Sequence, residues 1–262
     1  MRLALSSLLG LALFGWPFLG GGLPADTAAA AIAVAALGAL LLLEVGFRHL
    51  DARQVALLAA LAALDTAFRL AIPAASGVGG FSPIFFLVLV AGFVFGPSYG
   101  FLLGGFTILV SSLAEGAVGP WVPYQIFATG WVGVSAGIAG LLLPARWRQK
   151  RWPALIVLAA VGAVGGWAFG ALMDIQVWVA FYSGPGQLGW APGMAAGEAL
   201  AHFGRFYLLT SLAYDSFRAV GNALMVLLLG VPVLVALRRV QRRLRFEIVE
   251  NYAGFHLPAD RP

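Results

Sequence analysis

The sequence predicts an all-α integral membrane protein of about eight transmembrane helices, and three observations predict it. Hydrophobic residues make up 61% of the 262-residue chain and charged residues only 10%, against ~25% charged in an ordinary soluble domain. The apolar residues gather into runs close to the ~20 residues a helix needs to cross ~30 Å of hydrocarbon. Glycine, proline and charged residues punctuate those runs.

Taken in order, the first segment covers 3–22 and the second 27–46, together an N-terminal hairpin within residues 1–50. Arg2, the apolar run after it and the Gly20–Ala25 stretch also have the layout of a cleaved signal sequence. The length of the run and the second apolar segment behind it favour a retained hairpin. The third segment, 54–72, is alanine-rich at its start. The fourth and fifth, 81–96 and 98–115, are short and meet at Gly96-Pro97-Ser98-Tyr99-Gly100, a turn signal for antiparallel neighbours. The sixth covers 121–143 and the seventh 153–181. The eighth, 207–237, is long enough to require tilt or a projecting end. This divides the chain into the hairpin, a six-helix core over 51–240 and a basic tail over 241–262.

Charge sets the expected orientation. With the N-terminus inside, all of the sixteen basic residues except Arg69, Arg205 and Arg218 fall on cytoplasmic stretches, as the positive-inside rule requires. An even number of crossings then puts both termini in the cytoplasm of a plasma-membrane protein. The basic residues sit in short clusters between apolar runs, which suits orientation in a lipid bilayer and not nucleic-acid binding. The run from Arg238 to Arg245 continues the last helix as a basic face, suited to lipid headgroups or to a docking partner.

Ionisable residues inside apolar segments are costly and point to function. Asp65, Arg69, Asp174, Asp215 and Arg218 are of this kind, and the expected topology puts all five at the midplane or in the outer half. Asp65 and Arg69, four apart, are spaced to pair on one helix face; Asp215 and Arg218, three apart, are close enough to meet. Glu115, Trp121, Tyr124 and Gln125 join the same half. Polar groups at one depth on several helices predict a cavity open to the outside. Trp178, Phe181, Tyr182, Trp190 and Phe206 offer it stacking surfaces or form an ordinary interfacial belt. In the third segment, Ala56 with Ala60 and Ala59 with Ala63 make small-xxx-small spacing, through which another helix can approach closely.

Motifs that the chain lacks narrow its chemistry. It has no cysteine, and His49, His202 and His256 lie far apart, so neither a disulfide nor a local metal site is expected. No GxxxxGK[ST], GxSxG or HExxH occurs, so ATP hydrolysis, acyl transfer and zinc proteolysis are not expected of this chain. These absences favour a transport subunit over an enzyme, with no cofactor of its own.

The stretches Phe81-Ser82-Pro83-Ile84-Phe85-Phe86, Gly92 through Gly105, Gly119 through Gln125 and Gly130-Trp131-Val132-Gly133 resemble the substrate-binding S components of energy-coupling factor (ECF) vitamin transporters. The resemblance covers about residues 52–240. It implies a six-helix protein that binds a vitamin in an externally open cavity and docks on one membrane-embedded coupling protein and two ATPase subunits. On that resemblance Ala56, Ala59, Ala60 and Ala63 correspond to the surface that meets the coupling protein. Substrate contacts come from the loop at Pro73 to Phe81 and from the outer helix ends, which hold Tyr124, Gln125, Asp174, Trp178, Asp215 and Arg218, with Arg69 nearby. The two extra N-terminal helices resemble a longer subgroup associated with cobalamin-like substrates; riboflavin and thiamin are alternatives. A self-sufficient proton-coupled carrier using Asp65, Asp174 and Asp215 is the competing reading.

Overall fold

A computed structural model describes residues 2–19, 51–71, 82–119, 121–182, 186 and 188–253. The expected second segment 27–46, the loop 73–80 with the candidate residue Phe81, and the last residues of the basic tail lie outside the described residues. So does most of the N-terminal hairpin.

The described chain is helical, with no strand among its elements. Its helices are α1 (Arg2–Gly15), α2 (Ala52–Ala71), α3 (Ile84–Phe95), α4 (Pro97–Ala114), α5 (Val122–Leu142), α6 (Arg151–Phe181), α7 (Ala196–Thr210) and α8 (Leu212–Ala253). A 3-10 turn, Trp16–Leu19, extends α1, and one helical turn, Ala145–Arg148, links α5 to α6. Among the described residues five helices are long and apolar enough to cross a membrane: α2, α4, α5, α6 and the Leu212–Leu244 part of α8. This is compatible with a multi-pass membrane protein, because helices satisfy their own backbone hydrogen bonds where no water can.

Two expectations are corrected here. The eighth segment does not begin at 207: the chain breaks at Ser211, so that α7 is a separate helix and α8 starts at Leu212. Hydropathy alone merged them, since Leu208, Leu209 and Leu212 run on across the break. The pairing of Asp65 with Arg69 is also replaced. Arg69 reaches away from its own helix to Glu115 at 3.0 Å and to the Ser111 hydroxyl at 2.9 Å.

The core is built around α3, whose residues from Ile84 to Phe93 are all buried. At twelve residues it is ~18 Å long, short of the ~30 Å hydrocarbon thickness, and it is surrounded by longer helices. Glycine lets α3, α4 and α5 approach closely. A Cβ on Gly100 would come within 2.7 Å of the Gly133 carbonyl carbon, and one on Gly104 within 2.7 Å of the Thr129 carbonyl oxygen. Such backbone contact supplies the van der Waals packing that holds helices together where lipid removes the hydrophobic driving force. Gly96, at φ +102°, makes the tight turn between α3 and α4 that its sequence predicted.

Helices α6 and α8 run antiparallel with a register readable from contacts. Leu155 packs against Gly230, Gly162 against Asn222, Gly166 against Ala219 and Gly170 against Asp215. Asn222, itself buried, donates to the Gly162 carbonyl at 3.1 Å. Helix α1 lies antiparallel along α5: Trp131 donates to the Ser7 hydroxyl at 3.1 Å, and the Phe14 and Tyr124 rings meet edge to face at 4.9 Å.

One end of the bundle collects the basic residues. There Arg148 donates to the Gly140 carbonyl, Arg238 to the carbonyls of Arg148 and Gln149, and Gln241 to the Val94 carbonyl. These bonds tie α8 to the end of α3 and to the linking turn before α6, and that turn to the end of α5. The opposite, distal end carries the polar residues singled out from the sequence.

Candidate functional site

Asp174, Asp215 and Arg218 come together at the distal end, between α6 and α8. Arg218 donates to Asp215 Oδ1, a contact favoured by their spacing of three on one helix. Its guanidinium carbon sits 5.3 Å from the Phe169 ring centroid and 5.1 Å from that of Tyr214. Two aromatic faces and a carboxylate therefore hold this cation, and cation–π contact strengthens as water is removed. Asp215 is only 2% exposed. Its carboxylate fits because Gly170 opposite has no side chain; a Cβ there would coincide with it.

Asp174 stands one helical turn beyond Gly170 on α6 and is half-buried. Charge interactions connect it with Asp215 and Arg218, and the Ser211 hydroxyl bonds to it. The Tyr207 hydroxyl, from the last turn of α7, bonds towards Asp215. Burial first, and the nearby Asp215 carboxylate second, push the Tyr207 phenol up to about 12, so at neutral pH it remains a proton-bearing donor. Oδ2 of Asp174 and Oδ2 of Asp215 are buried yet make no hydrogen bond of normal geometry. Buried acceptors in such a state are rare in folded proteins and call for an explanation.

The remaining candidate residues lie elsewhere. Trp178 is buried in a small aromatic cluster with Trp190, Phe203 and Phe206, and its indole donates to the Leu188 carbonyl at 2.7 Å. His202 Nδ1 lies 2.8 Å from the Gly189 carbonyl, which selects the Nδ1–H tautomer. Phe18, from the turn after α1, packs on Trp178 and Trp190. These contacts fasten the segment leading into α7 over the end of α6. Tyr124 is engaged by Phe14. Gln125 is partly buried with its Oε1 unpartnered. Arg69 forms its own group with Ser111 and Glu115 between α2 and α4.

One turn below Arg69, Asp65 is fully buried against α4, with the Thr107 hydroxyl as its neighbouring hydrogen-bonding group. Neither of its oxygens makes a hydrogen bond of normal geometry.

On the other face of α2, Ala56, Ala59, Ala60 and Ala63 are all exposed, while Leu58, Leu61, Ala62, Asp65 and Thr66 are buried. The small-residue stripe thus faces away from the described bundle. Among the described residues no three His, Cys, Asp or Glu side chains gather as a metal site.

Sequence reasoning missed Tyr207, Ser211 and Gly170. Tyr207 sits beside Phe206, already singled out as aromatic, but nothing in the local sequence distinguishes its hydroxyl. Gly170 offered a faint signal, as the third of the glycines at 162, 166 and 170 that recur every four residues along one face of α6.

The fold and this site together describe a bundle of membrane-compatible helices with a charged, aromatic-walled polar group at one end. Comparison with family models, curated proteins and solved structures finds no match.

Proposed function

We propose that the chain is a solute-capture subunit of a multi-pass membrane importer, with its site at the distal end and its ATP-driven step carried by partner chains. The observation that carries this reading is the meeting of Asp174, Asp215, Arg218, Tyr207 and Ser211, from three helices, at the end opposite the basic residues. By the positive-inside rule the basic end faces the cytoplasm, which turns the polar group outward, as a receptor for an external solute needs. Both termini are then cytoplasmic in a plasma-membrane protein of about eight crossings, the second supplied by residues 27–46. Ionisable groups in a bilayer are retained for function far more often than for stability.

The resemblance to ECF S components specifies this reading further. The substrate is then a vitamin or related metabolite, cobalamin first and riboflavin or thiamin next. The partners are a membrane-embedded coupling protein and two ATPases. The exposed stripe of Ala56, Ala59, Ala60 and Ala63 supports it, because small residues on a lipid-facing surface suit close approach by a partner helix. Solubilisation of native membranes with tagged protein tests class and substrate together. Recovery of an ATPase-containing complex and a bound small molecule is expected; a chain recovered alone and empty defeats the proposal.

A second reading has one specific observation behind it. Among the described residues Asp65 is buried without a cationic partner at bonding distance, and such a carboxyl suits a proton-coupled carrier. Uptake into vesicles containing only this protein, driven by a pH gradient and abolished by Asp65→Asn, would establish that alternative.

A further inference from the structure

The distal site is unbalanced in charge, and that imbalance bears on what it binds. An anionic solute needs a cation with capacity to spare. Arg218 has little: it donates to Asp215 and lies against the rings of Phe169 and Tyr214. Arg69 is likewise committed, to Glu115 and Ser111. The carboxylates, in contrast, outnumber the guanidinium, two to one. Asp215 is 98% buried by its 2% exposure and still has an oxygen, Oδ2, without a hydrogen bond of normal geometry. Asp174 Oδ2 is in the same condition. Tyr207 is a donor towards Asp215 and does not alter the charge. The Asp215–Arg218 pair is neutral as a unit, so Asp174 is the charge left over.

Surplus carboxylate charge in a low-dielectric site is relieved by protonation or by a partner of opposite sign, and a solute can offer the second. We infer that the solute captured at this site is positively charged, presenting an ammonium or comparable cationic donor to Asp174 with the Asp215–Arg218 pair as its floor. This rests on the capture reading and adds to it the sign of the ligand. Asp174 is the more exposed of the two carboxylates and therefore the one of the pair that a solute reaches first. Asp215, beneath it and held against Gly170, orients Arg218 and does not itself need to move.

The test uses the full chain in lipid nanodiscs and probes of three charges: thiamin, choline and spermidine as cations, riboflavin as the neutral case and pantothenate as the anion. Binding is read by calorimetry and by the shift in thermal unfolding. At least one cation is expected to bind, with Asp174→Asn weakening it about tenfold or more, the scale of a lost charge-assisted hydrogen bond. Asp174→Asn should unfold at or above the parent temperature without ligand, because it removes the surplus charge. Glu198→Gln, an exposed carboxylate on α7, should leave binding unchanged. Binding of riboflavin or pantothenate with no cation bound overturns the inference and leaves the capture reading standing. Unchanged cation affinity in Asp174→Asn also overturns it. If no probe binds and no small molecule co-purifies, both the inference and the capture reading fail.

Discussion

The carboxylate of Asp215 occupies the space where any residue but glycine at position 170 would place its Cβ. The geometry of the charged site on α8 is thus set by a missing methyl group on α6. Gly170→Ala should push Asp215 and Arg218 aside. We expect a loss of about 1–3 kcal/mol in stability, the usual range for overpacking, and a loss of solute binding. Gly197→Ala is the comparison, since its Cβ meets open space within α7; it should be neutral or slightly stabilising. Thermal unfolding of both variants in one detergent decides the matter.

The α4–α5 contact is likewise set by glycine. Gly133 faces the backbone of Gly100 so closely that neither can carry a side chain without separating the helices. Gly133→Ala should lower the unfolding temperature more than Gly170→Ala does, because backbone cannot rotate away as a carboxylate can. Equal or smaller loss would mean that the two helices slide apart at little cost.

Arg69 tests the partner exchange between α2 and α4. The Arg69 and Glu115 side chains are about a quarter exposed, at 23% and 26%. A double-mutant cycle with Arg69→Gln and Glu115→Gln should give a coupling of up to about 1 kcal/mol. A cycle of Arg69→Gln with Asp65→Asn should give the smaller value. The reverse order would restore the intrahelical pair that the spacing first suggested.

For the alanine stripe, exposure separates folding from association. Ala59→Trp with Ala63→Trp should change stability by no more than about 0.5 kcal/mol, as surface substitutions do, yet block recovery of partner chains from native membranes. Retained association would assign the coupling surface elsewhere.

Trp178 fixes the segment before α7 through one indole hydrogen bond to Leu188. Trp178→Phe keeps most of the ring packing and removes the donor, at a cost of about 1 kcal/mol. Limited proteolysis should then cut more readily between 188 and 195, while cleavage of the bundle helices stays unchanged.

Much of this architecture is legible in the sequence, for a physical reason. A bilayer fixes the length and polarity of whatever crosses it, so the apolar runs at 98–115, 121–143 and 153–181 match α4, α5 and α6 closely. The Gly96–Gly100 turn was legible because φ above zero demands glycine. What failed were questions of partner choice. The spacing of Asp65 and Arg69 showed that they could meet, but a long arginine reaches a neighbouring helix as easily as its own, and Glu115 was waiting there. The break at Ser211 was hidden because hydropathy continues through it. The meeting of Asp174 with Asp215 and Arg218 was anticipated by depth alone; Tyr207 and Gly170 required the register of α6, α7 and α8, which no local pattern encodes.

Helix α8 has one further consequence. Its 42 residues extend ~63 Å, with Asp215 in the first turn and the bonds of Arg238 and Gln241 about two thirds of the way along. Those bonds fix the helix to α3 and to the linking turn before α6. Past Gln241 the helix runs on for roughly 18 Å beyond the last of these anchors. Pro232, between Asp215 and those bonds, lacks the amide hydrogen that would complete its turn, the usual cause of a bend in a long helix.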